Sequence, residues 1–218
     1  FAHELFERLS VEVVPSHNEL DYNFPNYNPN PKAMEMLHDM SDCVKASGAD
    51  FALGFDGDGD HCVVVDDEGE EIFADKVGVI VARNPAKIYP NSTIVADVKL
   101  TDLSASDPEL QKYGIKADCW KTGHSHMKRR VKELGALAGF EKSGHYFLSG
   151  EIGHGYDCGM RVAVEICKLM DRSPDMSLPD LRKALPKTWA TSTMSPYCSD
   201  LEKYGTLDRL VAKLVAKF

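Results

Sequence analysis

The stretch that most constrains this chain is Phe51 to Val65, FALGFDGDGDHCVVV. An apolar run ends in three aspartates at alternate positions, Asp56, Asp58 and Asp60, and a second apolar run follows at once. Short apolar runs bounded by turn residues read as strands. Gly57 and Gly59 have no Cβ, so the backbone can bend between them and turn several carboxylates inward. Like charges held so close repel, and a hard cation with oxygen ligands, Mg²⁺ or Ca²⁺, neutralises them. Gly and Asp also favour a plain acidic hairpin turn. Strict alternation between two apolar runs favours the metal.

Two other motifs share these letters. An EF-hand loop needs Gly after its third acid and Glu at its twelfth position. Here His61 and Asp67 hold those places, and Val63–Val65 reads as strand where an exit helix belongs. An aspartyl-phosphate hydrolase also ends a strand in Asp-x-Asp, with Asp56 as nucleophile and Asp58 as acid. That alternative leaves Asp60 without a role, and it stays open.

The chain has 218 residues and a net charge of −9. The length suits more than one small domain, and the charge argues against nucleic acid as a general partner. No apolar run reaches membrane-spanning length. The start, FAHELFERLSVEVV, is acidic and amphipathic and lacks the features of a signal peptide; it reads as the middle of a longer chain, and VAKLVAKF stops inside a helical pattern. The six cysteines form no CxxC pair, so free thiols in a cytoplasmic protein are expected.

Periodicity predicts an α/β chain. Residues 3–8 end a helix and Val11–Val14 form a strand. A Pro/Asn-rich loop leads to a helix starting at Asn30-Pro31, with Ala33, Leu37, Met40 and Val44 inward, Met34 and Met36 as core filler, and Gly48 as its stop. The acidic hairpin and a strand at Glu71–Phe73 follow. Next come helix 75–87 with Val77, Ile80, Val81 and Ile88 inward, strand 93–98, a short helix from Asp107-Pro108, and strand 115–120. Helix 124–134 follows, with Met127, Val131 and Leu134 inward. Strands 136–140 and 145–148 precede helix 157–170, with Val162, Ile166 and Leu169 inward. Residues 173–186 read as a crossing segment. A strand over Thr188–Ser195 and a helix striped by Leu207, Leu210, Val211 and Leu214 make a last unit too small to bury a core.

Two loops offer binding chemistry. Lys121-Thr122-Gly123-His124-Ser125 joins a strand to a helix, where free N–H groups favour anions and Lys121 and His124 add donors. Lys128, Arg129 and Arg130 read as a solvated basic face. Glu141-Lys142-Ser143-Gly144-His145 lies between two strands and combines acceptors and donors, as sugar hydroxyls require.

Taken together, FPNYNPNP, GFDGDGD, FADKVGV, WKTGHS, GALAGFEKSGHYF and GYDCG, in this order, resemble the α-D-phosphohexomutase family, in its phosphomannomutase/phosphoglucomutase branch. The resemblance covers nearly the whole chain. It implies four α/β domains round a cleft, carrying in turn a phosphoserine, a metal loop, a sugar-recognition loop and a phosphate-binding loop. Residues 1–70 would then be the second domain and 71–186 the third, both with mixed sheets flanked by helices, and 187–218 an incomplete α+β start of the fourth. The implied reaction moves a phosphoryl group between the 1- and 6-hydroxyls of a glucose or mannose phosphate through a bisphosphorylated intermediate. Asp56, Asp58 and Asp60 would hold Mg²⁺, and Lys121 would face the reacting phosphate. Glu141 and Ser143 would grip the sugar beside His145, with His124 adding a donor. The remaining domains of the parent chain would be partners, and this stretch alone would be inactive. Two positions depart from the pattern: His61 stands where the family has a phosphoserine-facing Arg, and Tyr156-Asp157-Cys158 where it often has two acids. A non-catalytic sugar-phosphate- or metal-binding derivative is the further alternative. Ser16-His17-Asn18 echoes the phosphoserine loop but has Glu19 in place of Pro and lies too near the metal loop, so it is read as coincidence.

Overall fold

The structure is a computed structural model that describes residues 2–31, 33–191 and 196–217. After a short helix, α1 (Ala2–Phe6), and an irregular loop, helix α2 (Met34–Ser47) leads into a three-stranded antiparallel sheet. Its strands are β1 (Phe51–Phe55), β2 (Cys62–Asp66) and β3 (Glu71–Ile72), in the order β1-β2-β3. All five residues of β2 are buried. Neighbouring residues of a strand point to opposite faces, and here both faces are covered. Val63 and Val65 meet Met36, Met40 and Val44 of α2, while Cys62 and Val64 join the main core. A strand covered on both sides reads as a near-continuous apolar run, here Cys62 to Val65, with buried Asp66 at its end paired to Arg182.

The second sheet has β4 (Thr93–Asp97), β5 (Lys116–Trp120), β6 (Ala138–Phe140) and β7 (Tyr146–Leu148) in the order β5-β4-β6-β7. β4 runs parallel to both its neighbours, and β6 pairs antiparallel with β7. Helix α3 (Ala74–Ile88) covers one face, where Val77 and Ile80 share a core with Ile94 and Phe140. Two short helices, α4 (Leu103–Ser106) and α5 (Pro108–Lys112), precede β5. The side chain of Asp107 caps α5 by accepting from the Leu110 N–H at 3.0 Å. Helix α6 (His124–Leu134) covers the other face, where Met127 and Val131 meet Val95 and Phe147. Helix α7 (Gly159–Asp171) buries Val162, Ala163, Ile166 and Cys167. The main core is continuous between the sheets, running from Cys62 and Val64 through Phe140 and Tyr146 to Val162 and Ile166. The architecture is therefore mixed α/β, with sheets flanked by helices.

Several expectations give way to packing. Val11–Val14 forms no strand; Val11 and Val14 are exposed, and among the described residues the segment has no partner strand. α2 starts at Met34 behind an uncapped Ala33. Its inward stripe is Met36, Met40 and Val44, with Leu37 half-buried and Met34 exposed. The glycine at 54 sets this face, because a Cβ there would lie 2.5 Å from Met36 Cε. Ile88 and Leu134 are exposed because each occupies the last turn of its helix. Leu169 is half-buried, packed against the core from the last turns of α7. The crossing segment contains a helix, α8 (Leu178–Lys183). Its signal is a capping box: the Ser177 hydroxyl accepts from the Asp180 N–H, and the Asp180 carboxylate accepts from the Ser177 N–H, with Pro179 in the first turn, where it is tolerated. Arg182 of α8 reaches Asp66 and Glu68, each at 3.0 Å, and Leu178 and Leu181 join the core. Residues 188–191 form no strand, and the rest of that expected strand, 192–195, lies outside the described residues. Helix α9 (Lys203–Lys217) buries no residue.

Candidate functional site

β1 and β2 pair with Phe55 opposite Cys62, so residues 56–61 form the tip of a hairpin. The Gly59 N–H donates to the Asp56 carbonyl at 3.2 Å, with Gly59 at φ +75°. The second sheet holds this tip. The Cys62 N–H donates to the Gly144 carbonyl at 3.1 Å, and the Gly159 N–H at the start of α7 donates to the Gly59 carbonyl at 3.1 Å. His61 and His145 face each other across an isolated antiparallel bridge. No side chain fits at position 159, where a Cβ would lie 2.3 Å from the His61 carbonyl oxygen. Three stretches read separately in the sequence, GFDGDGD, KSGH and DCG, thus meet at one point.

The three aspartates converge. Asp56, Asp58 and Asp60 offer carboxylate oxygens within 4.8 Å of one another. Both oxygens of Asp56 accept from His61, one from its backbone N–H and one from its ring Nδ1. That arrangement suits a fixed ligand better than a nucleophile. Burial pushes the Asp56 carboxyl upward, but the His61 bonds outweigh it and hold the group below the ordinary carboxylate value. Asp60 Oδ1 lies 2.7 Å from His61 Nδ1, but that nitrogen's hydrogen is directed to Asp56, and Asp60 Oδ1 is a buried oxygen with no hydrogen-bond partner. An orphaned oxygen among three carboxylates fits a hard cation.

Across the tip, His145 Nε2 lies 3.2 Å from Asp60 Oδ2. His145 Nδ1 lies 2.9 Å from Ser143 Oγ and 3.2 Å from Glu141 Oε2. Burial alone would lower the His145 pKa, but Glu141 and Asp60 outweigh it and raise it. The sequence places Glu141 among the groups facing a ligand; the structure turns it inward. It is 1% exposed, and its other oxygen accepts from the Gly123 N–H at 2.6 Å. Burial pushes its carboxyl up, but His145 and the Gly123 N–H hold it below its ordinary value. Glu141 thereby ties the loop after β5 to the loop after β6. Lys121 in the former is exposed and makes no ion pair or hydrogen bond among the described residues.

One residue, Asp97, escaped the sequence reading, and another, Asp157, was named there only as part of a loop that departs from the family's pattern. Asp97, at the end of β4 and buried, accepts from the Thr122 hydroxyl at 2.5 Å and from the Lys99 and Lys142 backbone N–H groups at 3.0 and 3.3 Å. It binds together the loops at the C-terminal ends of the three parallel strands, where α/β sheets place their ligands. Asp157 lies 3.3 Å from His124 Nδ1 and 2.9 Å from Lys128 Nζ, with His145 Nε2 at 3.9 Å. Burial pushes the Asp157 carboxyl up, and Lys128 outweighs it. Lys128 is therefore anchored to the site and not merely solvated. Arg130, also read as solvated, pairs with Asp118 at 2.9 Å and stacks on Trp120 at 4.2 Å; Arg129 is exposed as expected. An acid closing an apolar strand and an acid just before a helix were the signals for Asp97 and Asp157. In the Ser16-His17-Asn18 stretch, His17 is tied to Asp39 of α2 at 3.0 Å and to Asn26 at 2.7 Å.

Known proteins resemble this chain in sequence and fold. The phosphoglucomutase/phosphomannomutase alpha/beta/alpha domain II model matches residues 1–69, and the domain III model matches residues 73–189. A phosphomannomutase/phosphoglucomutase of Pseudomonas putida is 35% identical over 209 residues, which cover 96% of this chain and 44% of that protein. A phosphoglucomutase of Neisseria gonorrhoeae is 33% identical over 198 residues, covering 86% and 42%. The crystal structure of a phosphoglucomutase/phosphomannomutase family protein from Burkholderia thailandensis aligns with a TM-score of 0.80 at 33% identity, over 88% of this chain and 41% of that one. The chain spans less than half the length of these relatives.

Proposed function

The chain belongs to the phosphoglucomutase/phosphomannomutase family, and on that premise we propose that it supplies the metal and sugar loops of a phosphohexomutase. The reaction is transfer of a phosphoryl group between the 1- and 6-hydroxyls of a glucose or mannose phosphate. In this reading residues 1–70 are the metal domain, 71–186 the sugar domain and 187–218 the start of a further unit, and the protein works in the cytoplasm, to which its free cysteines are suited. Among the described residues no helix is long and apolar enough to cross a membrane.

The observation that carries the reading is the clamp: the Gly144 carbonyl and the Gly159 N–H fix the acidic tip, so that Asp60 lies 3.2 Å from the histidine of the sugar loop. Mg²⁺ held by Asp56, Asp58 and Asp60 would neutralise charge on the transferring phosphoryl group. Lys121 offers three free donors to phosphate oxygens, and His124 adds another beside Asp157. The Ser143 hydroxyl both donates and accepts, as a sugar hydroxyl demands, and His145 donates beside it. Glu141 holds His145 and the Lys121 loop in place. His61 fixes Asp56. The serine that carries the phosphoryl group in the family's pattern is not among the residues gathered at this site, so the chain by itself should bind without turning over.

Calorimetry with Mg²⁺ and with glucose 1-phosphate tests this. Mg²⁺ should bind weakly, at about millimolar, and Asp58→Asn should abolish it. Ser143→Ala should weaken the sugar phosphate by about 1–3 kcal/mol and leave Mg²⁺ alone. Equal Mg²⁺ affinity in Asp58→Asn, or no sugar-phosphate binding at all, would overturn the assignment. So would sustained turnover by this chain supplied with glucose 1,6-bisphosphate.

A further inference from the structure

Asp60 faces two imidazoles as well as two carboxylates. Its Oδ1 lies 2.7 Å from His61 Nδ1 and its Oδ2 lies 3.2 Å from His145 Nε2. The two rings are 3.7 Å apart at their centroids. One ligand atom from each of Asp60, His61 and His145 falls within a 4.8 Å group. This donor set, two nitrogens and a carboxylate, differs in kind from the all-oxygen set of Asp56, Asp58 and Asp60. Mg²⁺ prefers oxygen ligands, whereas imidazole suits Zn²⁺, Ni²⁺ and Cu²⁺.

We propose that Asp60, His61 and His145 form a binding site for a divalent transition metal, with Zn²⁺ as its reference ion, sharing Asp60 with the aspartate set. Zn–N and Zn–O bonds of about 2.0–2.2 Å at tetrahedral angles place donors about 3.3 Å apart; the Asp60–His145 separation of 3.2 Å matches that, and the Asp60–His61 pair at 2.7 Å must open by about 0.6 Å to take the ion. The supporting shell is in place. His145 presents Nε2 to the cluster while its Nδ1 faces Glu141 Oε2 at 3.2 Å and Ser143 Oγ at 2.9 Å, the carboxylate–histidine arrangement that orients metal-binding imidazoles. Asp60 Oδ1 is buried and without a hydrogen bond. His61 Nδ1 donates to Asp56; a metal on that nitrogen takes the place of its proton, which leaves to Nε2 or to solvent. Because Asp60 belongs to both sets, Zn²⁺ held through the histidines takes a ligand from Mg²⁺. The inference concerns metal affinity alone and does not depend on the mutase reading.

The test is calorimetry on this chain with Zn²⁺ and Mg²⁺ separately, with folding of each variant checked by circular dichroism. One Zn²⁺ should bind at least about tenfold more tightly than Mg²⁺. His61→Gln and His145→Gln should each weaken Zn²⁺ by at least about tenfold. Zn²⁺ affinity unchanged in both histidine variants, or no tighter than Mg²⁺, would overturn the site. A Cu²⁺ electron paramagnetic resonance spectrum of the unaltered chain decides the matter even if neither variant folds. Nitrogen superhyperfine splitting from two imidazoles supports the site, and a spectrum of oxygen ligands only refutes it. Loss of Mg²⁺ in Asp58→Asn reads the aspartate set separately, so failure of either assignment is distinguishable from failure of the other.

Discussion

α7 and α9 both carry apolar residues at helical spacing: Val162 and Ile166 in one, Leu207, Leu210, Val211 and Leu214 in the other. α7 buries Gly159, Val162, Ala163, Ile166 and Cys167, and α9 buries nothing. The stripe of α9 remains about half exposed, from 49% at Leu214 to 55% at Leu207. A stripe is a property of the sequence; burial depends on what stands opposite. α7 lies against β2 and β7, and its first N–H closes the acidic tip. α9 rests on its own backbone bonds and local side-chain pairs such as Lys203 with Asp200. Tertiary packing gives most helices their stability, so the two should respond very differently to the same substitutions.

The sharpest contrast uses one glycine from each helix. Gly159→Ala drives a Cβ to 2.3 Å from the His61 carbonyl and should cost about 3 kcal/mol in urea unfolding. Gly205→Ala meets only the tip of Arg209 at 3.6 Å and should leave the unfolding midpoint unmoved. Equal effects would mean that α7 is not fixed to the tip. Of comparable size, Ile166→Ala opens a hole in the main core and should cost about 2–5 kcal/mol, while Leu210→Ala should stay within about 0.5 kcal/mol. A large loss at Leu210 would show that α9 has a packing partner.

The smallest expected effect lies on α6. Its Arg130 bonds Asp118 and, against a lesser effect of burial, holds that carboxyl below its ordinary value. A depressed carboxyl stabilises the fold above its unfolded pKa, about 3.9, and the contribution is lost as pH falls through the lower folded value. Arg130→Gln should therefore lower stability only slightly at pH 7, since solvent screens an exposed pair. That loss should shrink in urea titrations below pH ~4, leaving only the part due to stacking on Trp120. A loss that is the same at pH 7 and pH 3 would assign the whole effect to the stacking.

Much of this was legible in the residues. The acidic tip, the glycine stops at Gly48 and Gly135, the span of α6 and the separate loops of the site all follow from local rules, because turn chemistry, capping and helical spacing act over a few residues. What escaped was set by contacts distant in sequence. The inward face of α2 depends on the space left at Gly54, and Glu141 turns inward because the Gly123 N–H comes to meet it. Lys128 looks solvated until Asp157 is placed beside it. Asp97 and Asp157 are single acids whose importance lies in how many loops converge on them. α8 was missed although its capping box was present, because residues 173–186 were read as a whole as a crossing segment.

The clamp on the acidic tip also bears on the order in which the molecule is assembled. β1 and β2 are joined by a short turn, and such hairpins form within microseconds. Asp60 and His145 are 85 residues apart, and Gly59 must find Gly159 across a still longer span, so the closure entropy of most of the chain comes before these contacts. A ribosome releases the hairpin well before residues 144–159 exist. The carboxylates are therefore made early and lie close together with nothing to hold them, and they become a defined site only when the second sheet and α7 dock. Metal affinity should then appear as one of the last events of folding, and it should report on the join between the sheets more faithfully than on the hairpin that carries the ligands.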